Sequence, residues 1–363
     1  MKIIYDKTVY EASKERLNFL FDEFEEIYVS VSGGKDSTVA FNMTLEIARE
    51  RRRKIGCFFL DQEFEYASTI EIIRKWMNDP NVIPYWLQCK LKMFNANSAL
   101  LPYVMIWDED RRDTWMREKE PNSMHVPFSV STRFHATMKD FTNWRHEVTG
   151  KKICCITGMR AEESMNRYTG TTNGLVYGDI TWGRKDNKDG TAITFHPFYD
   201  WHYTDVWKYI NDNNLDYNSL YDKLYMRGVP ATRMRVSNLI HEYTAGKETT
   251  ILLQEFEAET YERLVRALPG FATTTKFAED FIPQKLPEVF GSWREYRDYL
   301  LNTIVAPEYR DGFLKCWKSQ VDSEEIYRLN AIECIKSDVT HTLNNDITKR
   351  KNKIIRNNRR GKL

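Results

Sequence analysis

The residues best equipped for chemistry come early. VSVSGGKDST, residues 29–38, is a β-branched run that stops in two glycines, a lysine, an aspartate and two hydroxyls, just before an apolar helical pattern. A glycine-rich turn between strand and helix offers unpaired N–H groups and the positive end of the helix dipole to an anion. Gly33 and Gly34 let the main chain approach phosphate, Lys35 adds a point charge, and Ser32, Ser37 and Thr38 add hydroxyl donors. The spacing is too short for GxxxxGKS/T, which excludes a Walker A loop. The plainer use of such residues is a turn that only joins strand to helix.

Two further groups of charged residues stand out along the chain. Asp61, followed by Glu63 and Glu65 in FFLDQEFEYAST, ends the next apolar run, where a solvated acidic loop is the alternative. GMRAEES, residues 158–164, brings Gly158, Arg160, Glu163 and Ser164, with Arg167 beyond. The plain reading of these residues is a helix-start cluster with an internal ion pair. Six cysteines (Cys57, Cys89, Cys154, Cys155, Cys316 and Cys334) form no CxxC pair and no His/Cys spacing suited to zinc. Cys154 and Cys155 adjoin in an apolar strand, point to opposite faces, and read as buried structural thiols.

The elements that must position these residues alternate in period. A helix from Val9 to Phe24 precedes a strand over Ile27–Ser32, a helix from Ser37 to Arg52 leads to a strand over Lys54–Asp61, and a helix from Ala67 to Met77 leads to one over Val82–Cys89. This alternation predicts an α/β fold, a doubly wound and mostly parallel sheet covered by helices. Residues 90–134 break the rhythm and read as an inserted lid or substrate-binding segment. The strand KICCITG, residues 152–158 with Lys151 before it, resumes the alternation, and a hairpin turning at Lys188–Gly190 follows. Beyond Tyr203 the pattern is helical, with TTILLQEFEAETYERLVRAL and Pro307–Ile335 each read as one long helical stretch. The expected domains are 1–215, a nucleotide-binding α/β domain carrying the 90–134 insertion; 216–338, a helical C-terminal region; and 339–363, a basic flexible tail.

SGGKDS resembles the PP-loop, SGGxDS, of the adenine-nucleotide α-hydrolase superfamily. GMRAEES with Arg167 resembles the GxRxxES…R segment of the phosphoadenosine phosphosulfate (PAPS) reductase family, and HPFYDWHYTDVWKYI resembles that family's P-x-x-DW-x-x-x-DVW-x-YI. The likeness covers roughly residues 20–215. Beyond it, YNSLYDKLYMRGVPATRMRVS resembles an Ibr-type prophage co-activator branch of unknown chemistry. The resemblance implies that Ser32, Gly33, Gly34, Lys35, Asp36 and Ser37 hold phosphates and that the main chain of Val29, Ser30 and Val31 lines an adenine pocket. It also implies that Asp61 meets ribose or, with Asp36, a magnesium ion, and that Gly158, Arg160 and Arg167 face a distal phosphate or sulfate. Lys35 and Asp36 are then the catalytic candidates. Within that family, Trp201, Asp205 and Trp207 read as packing and helix-start residues.

The reductase chemistry itself does not carry over. IECIKSD around Cys334 lacks the Gly-Leu-His of the reductases' ECGLH-type segment, and the CC…CxxC iron–sulfur set is missing. No iron–sulfur cluster and no zinc are expected. Two readings remain. The first is an enzyme that binds ATP or a PAPS-like nucleotide with Mg²⁺ and acts at its phosphates, activating or sulfur-modifying an acceptor. The second is a nucleotide-sensing regulatory protein that acts through nucleic acid or a protein partner.

The formal charge of +1 hides an asymmetry: residues 349–363 hold eight bases and no acid, which leaves the remaining chain at −7. Such a tail suits a polyanion, nucleic acid above all; a tail that only aids solubility is the alternative. No run of about 18 apolar residues occurs and MKIIYDKTVYEASKERL has no signal-peptide core, so a cytoplasmic protein without membrane association is expected.

Overall fold

The computed structural model describes residues 6–95, 103–126, 134–172, 174–232, 234–236, 238–240, 247–268, 271, 283, 285–318, 320, 322–335 and 338–339. By its internal contacts the chain divides into two compact units. One comprises residues 1–93, 105–239 and 252–263, and the other 94–104, 240–251 and 264–363.

The first unit is built on a six-stranded sheet. Its strands are β1 (Glu26–Ser30), β2 (Ile55–Leu60), β3 (Val82–Leu87), β6 (Ile153–Thr157), β7 (Gly183–Lys185) and β8 (Ala192–Phe195), in the order β3-β2-β1-β6-β8-β7. All neighbours are parallel except β7, which pairs antiparallel with β8 through the expected hairpin. Two short strands, β4 (Leu91–Phe94) and β5 (Tyr103–Ile106), pair separately. Every residue of β2 is buried, as a strand covered by helices on both faces requires. This is the doubly wound, mostly parallel sheet that the alternation predicts.

The helices that cover it start where their sequences provide caps. In α1 (Val9–Glu23), Thr8 and Glu11 close a capping box. In α2 (Lys35–Glu50), Val39, Ala40, Met43 and Ile47 line a buried face. α2 begins two residues before the expected start, so Lys35 and Asp36 lie inside its first turn. α3 (Ala67–Met77) has no cap of its own, and the Glu257 carboxylate accepts the N–H groups of Ala67 at 2.7 Å and Ser68 at 3.1 Å. α4 (Phe134–Thr149), α5 (Met165–Thr172), α6 (Tyr203–Asp212) and α7 (Leu220–Met226) follow. The first unit runs past residue 215 because Asn218 bonds Thr69 and the Leu239 N–H bonds the Phe64 carbonyl.

Two helical readings need correction. TTILLQEFEAETYERLVRAL is two helices, α8 (Lys247–Phe256) and α9 (Ala258–Ala267), parted at the residue whose carboxylate caps α3. Residues 307–335 likewise split into Pro307–Trp317 and Glu324–Ile335, and the Ser323 hydroxyl accepts the Ile326 N–H at the restart. In the second unit Leu300, Leu301, Val305, Phe313, Trp317, Ala331 and Cys334 form a core, and the Trp317 indole donates to Glu333 at 2.7 Å. The basic tail, including all eight bases, lies outside the described residues, as do parts of the 90–134 insertion. Among the described residues, no helix is long and apolar enough to cross a membrane.

A candidate anion site at the carboxyl edge of the sheet

β1 lies between β2, its immediate successor among the strands, and β6, which the chain reaches only after leaving the β1-β2-β3 side. The order therefore reverses between β1 and β6, and in open α/β sheets ligands collect beyond the strand ends at such a point. The turn from Ser32 to Gly34 leaves β1 here, and Gly158–Arg160 leaves β6 beside it.

Gly33 takes φ +70° and a Cβ there would lie 2.8 Å from the Thr69 methyl, so conformation and space both require glycine. The Gly34 carbonyl accepts Thr38 N–H at 2.9 Å, Ser37 Oγ at 2.9 Å and Thr38 Oγ1 at 3.1 Å. Ser37 Oγ also accepts the Ser32 N–H at 3.3 Å, while Ser32 itself is exposed. The turn is thus tied internally while its edge remains open. Val29 and Ser30 pair in register with Cys57 and Phe58 on one side and Ile156 and Thr157 on the other, and Val31 N–H bonds the Phe58 carbonyl. Their main chain is largely committed to the sheet, which limits what it can offer an adenine.

Lys35 is buried, and its ammonium donates to Asp36 Oδ2 at 2.9 Å. Burial pulls its pKa below the usual lysine value, against the pull of Asp36. The other oxygen, Asp36 Oδ1, accepts Arg160 Nε at 2.5 Å. Arg160 is buried too and also pairs with Glu162, with Glu163 3.8 Å away. Glu163 is shared with Arg167 and, at 3.5 Å, with Arg235. Lys35, Asp36, Gly158, Arg160 and Arg167 are therefore gathered into one cluster of four cations and three carboxylates. The internal ion pairs that the sequence offered as an alternative are present, and they hold the cations at the loop.

Asp61 is placed differently. Its carboxylate accepts Glu63 N–H at 2.9 Å, the Trp86 indole at 2.8 Å, Gln88 Nε2 at 2.9 Å and the Arg117 guanidinium. Asp61, Glu63 and Glu65 are all buried, so the solvated-loop alternative is excluded. Glu63 Oε2 accepts the Trp107 N–H at 2.7 Å, and Trp107 Nε1 donates to the Asp61 carbonyl at 2.8 Å. The described part of the insertion is packed on this acidic stretch. Burial, with Asp61 nearby, raises Glu65 to about 8. Asp61 is thus filled by four donors, whereas the Asp36 carboxylate is shared between the Lys35 ammonium and the Arg160 guanidinium.

Three residues of the site escaped the sequence reading. The Tyr221 hydroxyl accepts the Lys35 N–H at 3.0 Å; Arg235 joins through Glu163; and His196 Nδ1 bonds Thr157 Oγ1 at 2.7 Å. Burial, helped by Arg184 and Arg167, lowers His196 to about 4, which keeps its ring neutral. Tyr221 and Arg235 lie in the segment noted for its likeness to a branch without settled chemistry, and no spacing rule links position 221 to position 35. The thiols are remote from this arrangement in character: Cys154, Cys155 and Cys334 are fully buried, and burial raises all three. Trp201 is buried and donates to Ser13 Oγ at 2.8 Å, and Asp205 closes a capping box with His202, so both serve the framework.

The family model for the phosphoadenosine phosphosulfate reductase domain matches residues 26–233. The uncharacterized protein YbdN of Escherichia coli K12 is 27% identical over 245 residues, 65% of this chain and 59% of that protein. An uncharacterized protein of Methanocaldococcus jannaschii is 24% identical over 201 residues, 55% of this chain and 39% of that one. The match thus spans less than two thirds of either relative. Among solved structures, Candida auris PAPS reductase in its phosphate complex aligns with a TM-score of 0.33 at 14% identity, covering 61% of this chain and 93% of that one. An NH3-dependent NAD synthetase of Campylobacter jejuni aligns at 0.32 and 12%, covering 78% and 100%.

Proposed function

From the premise that the chain belongs to the phosphoadenosine phosphosulfate reductase domain family, we propose that it binds an adenine nucleotide, ATP or a PAPS-like one, and acts at its phosphates. One observation carries this reading: the glycine turn and the start of α2 stand at the strand-order reversal, with Lys35 and Arg160 both held there by Asp36. N–H groups at a helix start, a buried ammonium and guanidinium forks together suit a phosphate chain.

In the proposed reaction, written for ATP, an acceptor hydroxyl attacks the α-phosphorus, the bond from that phosphorus to the bridging oxygen breaks, pyrophosphate leaves, the hydroxyl proton passes to solvent and the acceptor keeps the AMP group; with a PAPS-like nucleotide the same attack would release sulfate. The ammonium of Lys35 and the N–H groups of the first turn of α2 stabilise the charge that develops. Bound magnesium would neutralise phosphate charge, and Asp36 is proposed to hold it, exchanging one of its two cation partners for the ion. Arg160 and Arg167 are proposed to take the distal phosphate or sulfate, exchanging carboxylate partners for the ligand's oxygens. Asp61 is proposed to act from behind, fixing Arg117 and the acidic stretch, with ribose contact requiring an exchange of donors.

Calorimetry with ATP, PAPS and their product nucleotides tests binding, and release of pyrophosphate from ATP, with the AMP group found on the acceptor or displaced from it in a second step, tests turnover. Binding without turnover under every acceptor favours the second reading, a nucleotide sensor acting through nucleic acid or a protein partner. The run of eight bases at 349–363 is the observation on its side.

A further inference from the structure

Resting on the nucleotide reading, a further inference concerns Tyr221. The N–H of Lys35 is the first of α2, and helix geometry gives it no acceptor within the helix. The Tyr221 hydroxyl takes it at 3.0 Å, reaching the loop from α7. A Cβ on Gly34 would lie 3.4 Å from the same oxygen, so the phenol sits directly against the turn.

The ring is firmly held there. Tyr221 is 3% exposed, and its ring meets Trp207 edge-on with centroids 5.1 Å apart. Asn218 Oδ1 accepts the Leu220 N–H at 3.0 Å, while its amide donates to Thr69 Oγ1 at 2.9 Å. Thr69 is the residue whose methyl closes the space over Gly33. Lys35 Nζ lies 6.0 Å from the Tyr221 ring centroid. The tyrosine, the threonine and the two glycines therefore form one packed group around the loop.

A phenol can accept and also donate one proton. Here an oxygen lone pair is used by Lys35, and burial keeps the proton on the oxygen at any physiological pH. Among the described residues that proton meets no acceptor, and a buried donor left unpaired is costly. A phosphate oxygen at the start of α2 would supply the acceptor.

We propose that Tyr221 is an anion-contact residue of the loop: its hydroxyl takes the Lys35 N–H and gives its own proton to a phosphate oxygen of the bound nucleotide. The first N–H of the helix is thereby carried outward by one hydroxyl. The competing geometry, in which the phenol oxygen occupies the anion's place and must leave it, has the opposite consequence for binding.

Tyr221→Phe removes the oxygen and keeps the ring. Wild type and variant, as full chains, are titrated calorimetrically with ATP, PAPS, inorganic pyrophosphate and adenosine. The expected result is a loss of about ten- to a hundredfold in affinity for ATP and pyrophosphate, the scale of a hydrogen bond to a charged group, with adenosine unchanged. Equal or tighter ATP and pyrophosphate binding by the variant overturns the contact and leaves the nucleotide reading standing. A wild type that binds none of ATP, PAPS or pyrophosphate overturns both. Should the variant not fold, NMR of isotope-labelled tyrosine in the wild type reads the same contact: pyrophosphate must shift the Tyr221 resonance, and an unmoved resonance overturns the assignment.

Discussion

Gly158 approaches Asp36 so closely that a Cβ at position 158 would lie 2.4 Å from the Asp36 carbonyl oxygen. The end of β6 and the first turn of α2 are thus pressed together main chain to main chain. This contact sets the separation between the glycine turn and Arg160.

Gly158→Ala should therefore destabilise the fold by about 1–3 kcal/mol, the usual cost of overpacking, since backbone cannot swing aside as a side chain can. It should also weaken ATP binding by moving Arg160 away from the loop. Urea midpoints and calorimetric titration check the two effects. A variant as stable and as tight as wild type would show that the contact is loose.

Lys35→Ala and Asp36→Ala should both abolish nucleotide binding, with different costs to the fold. Asp36 neutralises two cations whose side chains are 4% exposed. Its loss leaves the Lys35 ammonium without its carboxylate, while Arg160 keeps Glu162, and should cost about 3 kcal/mol. Lys35→Ala leaves the Asp36–Arg160 pair in place and should be milder. Unchanged ATP affinity in the Lys35 variant would remove the lysine from the phosphate site.

Glu65 should give the protein a distinctive pH profile. Its carboxyl is raised from 4.5 to about 8 in the folded state, by burial first and by Asp61 second. Between those values the unfolded chain binds fewer protons than the folded one, so this group's contribution to stability falls as pH rises and levels off above the upper value. Glu65→Gln should flatten that slope. Chemical denaturation of both proteins across the range measures the difference, and parallel profiles would count against a protonated Glu65.

Cys334→Ser should leave any nucleotide chemistry intact, because the thiol is fully buried and its pKa lies well above the usual range. A thiolate is needed for attack on sulfur. Sulfite release from PAPS with thioredoxin, present in wild type and lost in the variant, would restore the reductase chemistry.

Removing the tail, by ending the chain at Ile347, should weaken binding to duplex nucleic acid. If all eight bases contact phosphate, log affinity should fall with log salt at a slope approaching roughly −7, from about −0.9 per contact. Little sequence preference is expected, since phosphate contacts carry little base information. Anisotropy at several salt concentrations compares the two lengths, and equal binding would show the tail to be irrelevant.

The fold was legible because its signals are local. A run such as IGCFFL can only be a buried strand or helix segment, and the alternation of such runs with 3.6-period stretches leaves few arrangements besides a parallel sheet with covering helices. The glycine turn was legible for the same reason, since strand, glycines and helix start are contiguous. Tertiary structure decided what depends on distant partners. The helix break at Glu257 exists because that carboxylate caps α3, 190 residues away in sequence. Asp61 looked open beside two other acids, yet burial and four donors gathered from Glu63, Trp86, Gln88 and Arg117 occupy it. Tyr221 is a core aromatic by composition, and only the packing of α7 against the loop puts its hydroxyl on the Lys35 N–H. Residue types and local period specify elements and contiguous turns; which polar atoms meet across the chain follows from burial, because a buried donor or acceptor must find its partner wherever the fold supplies one.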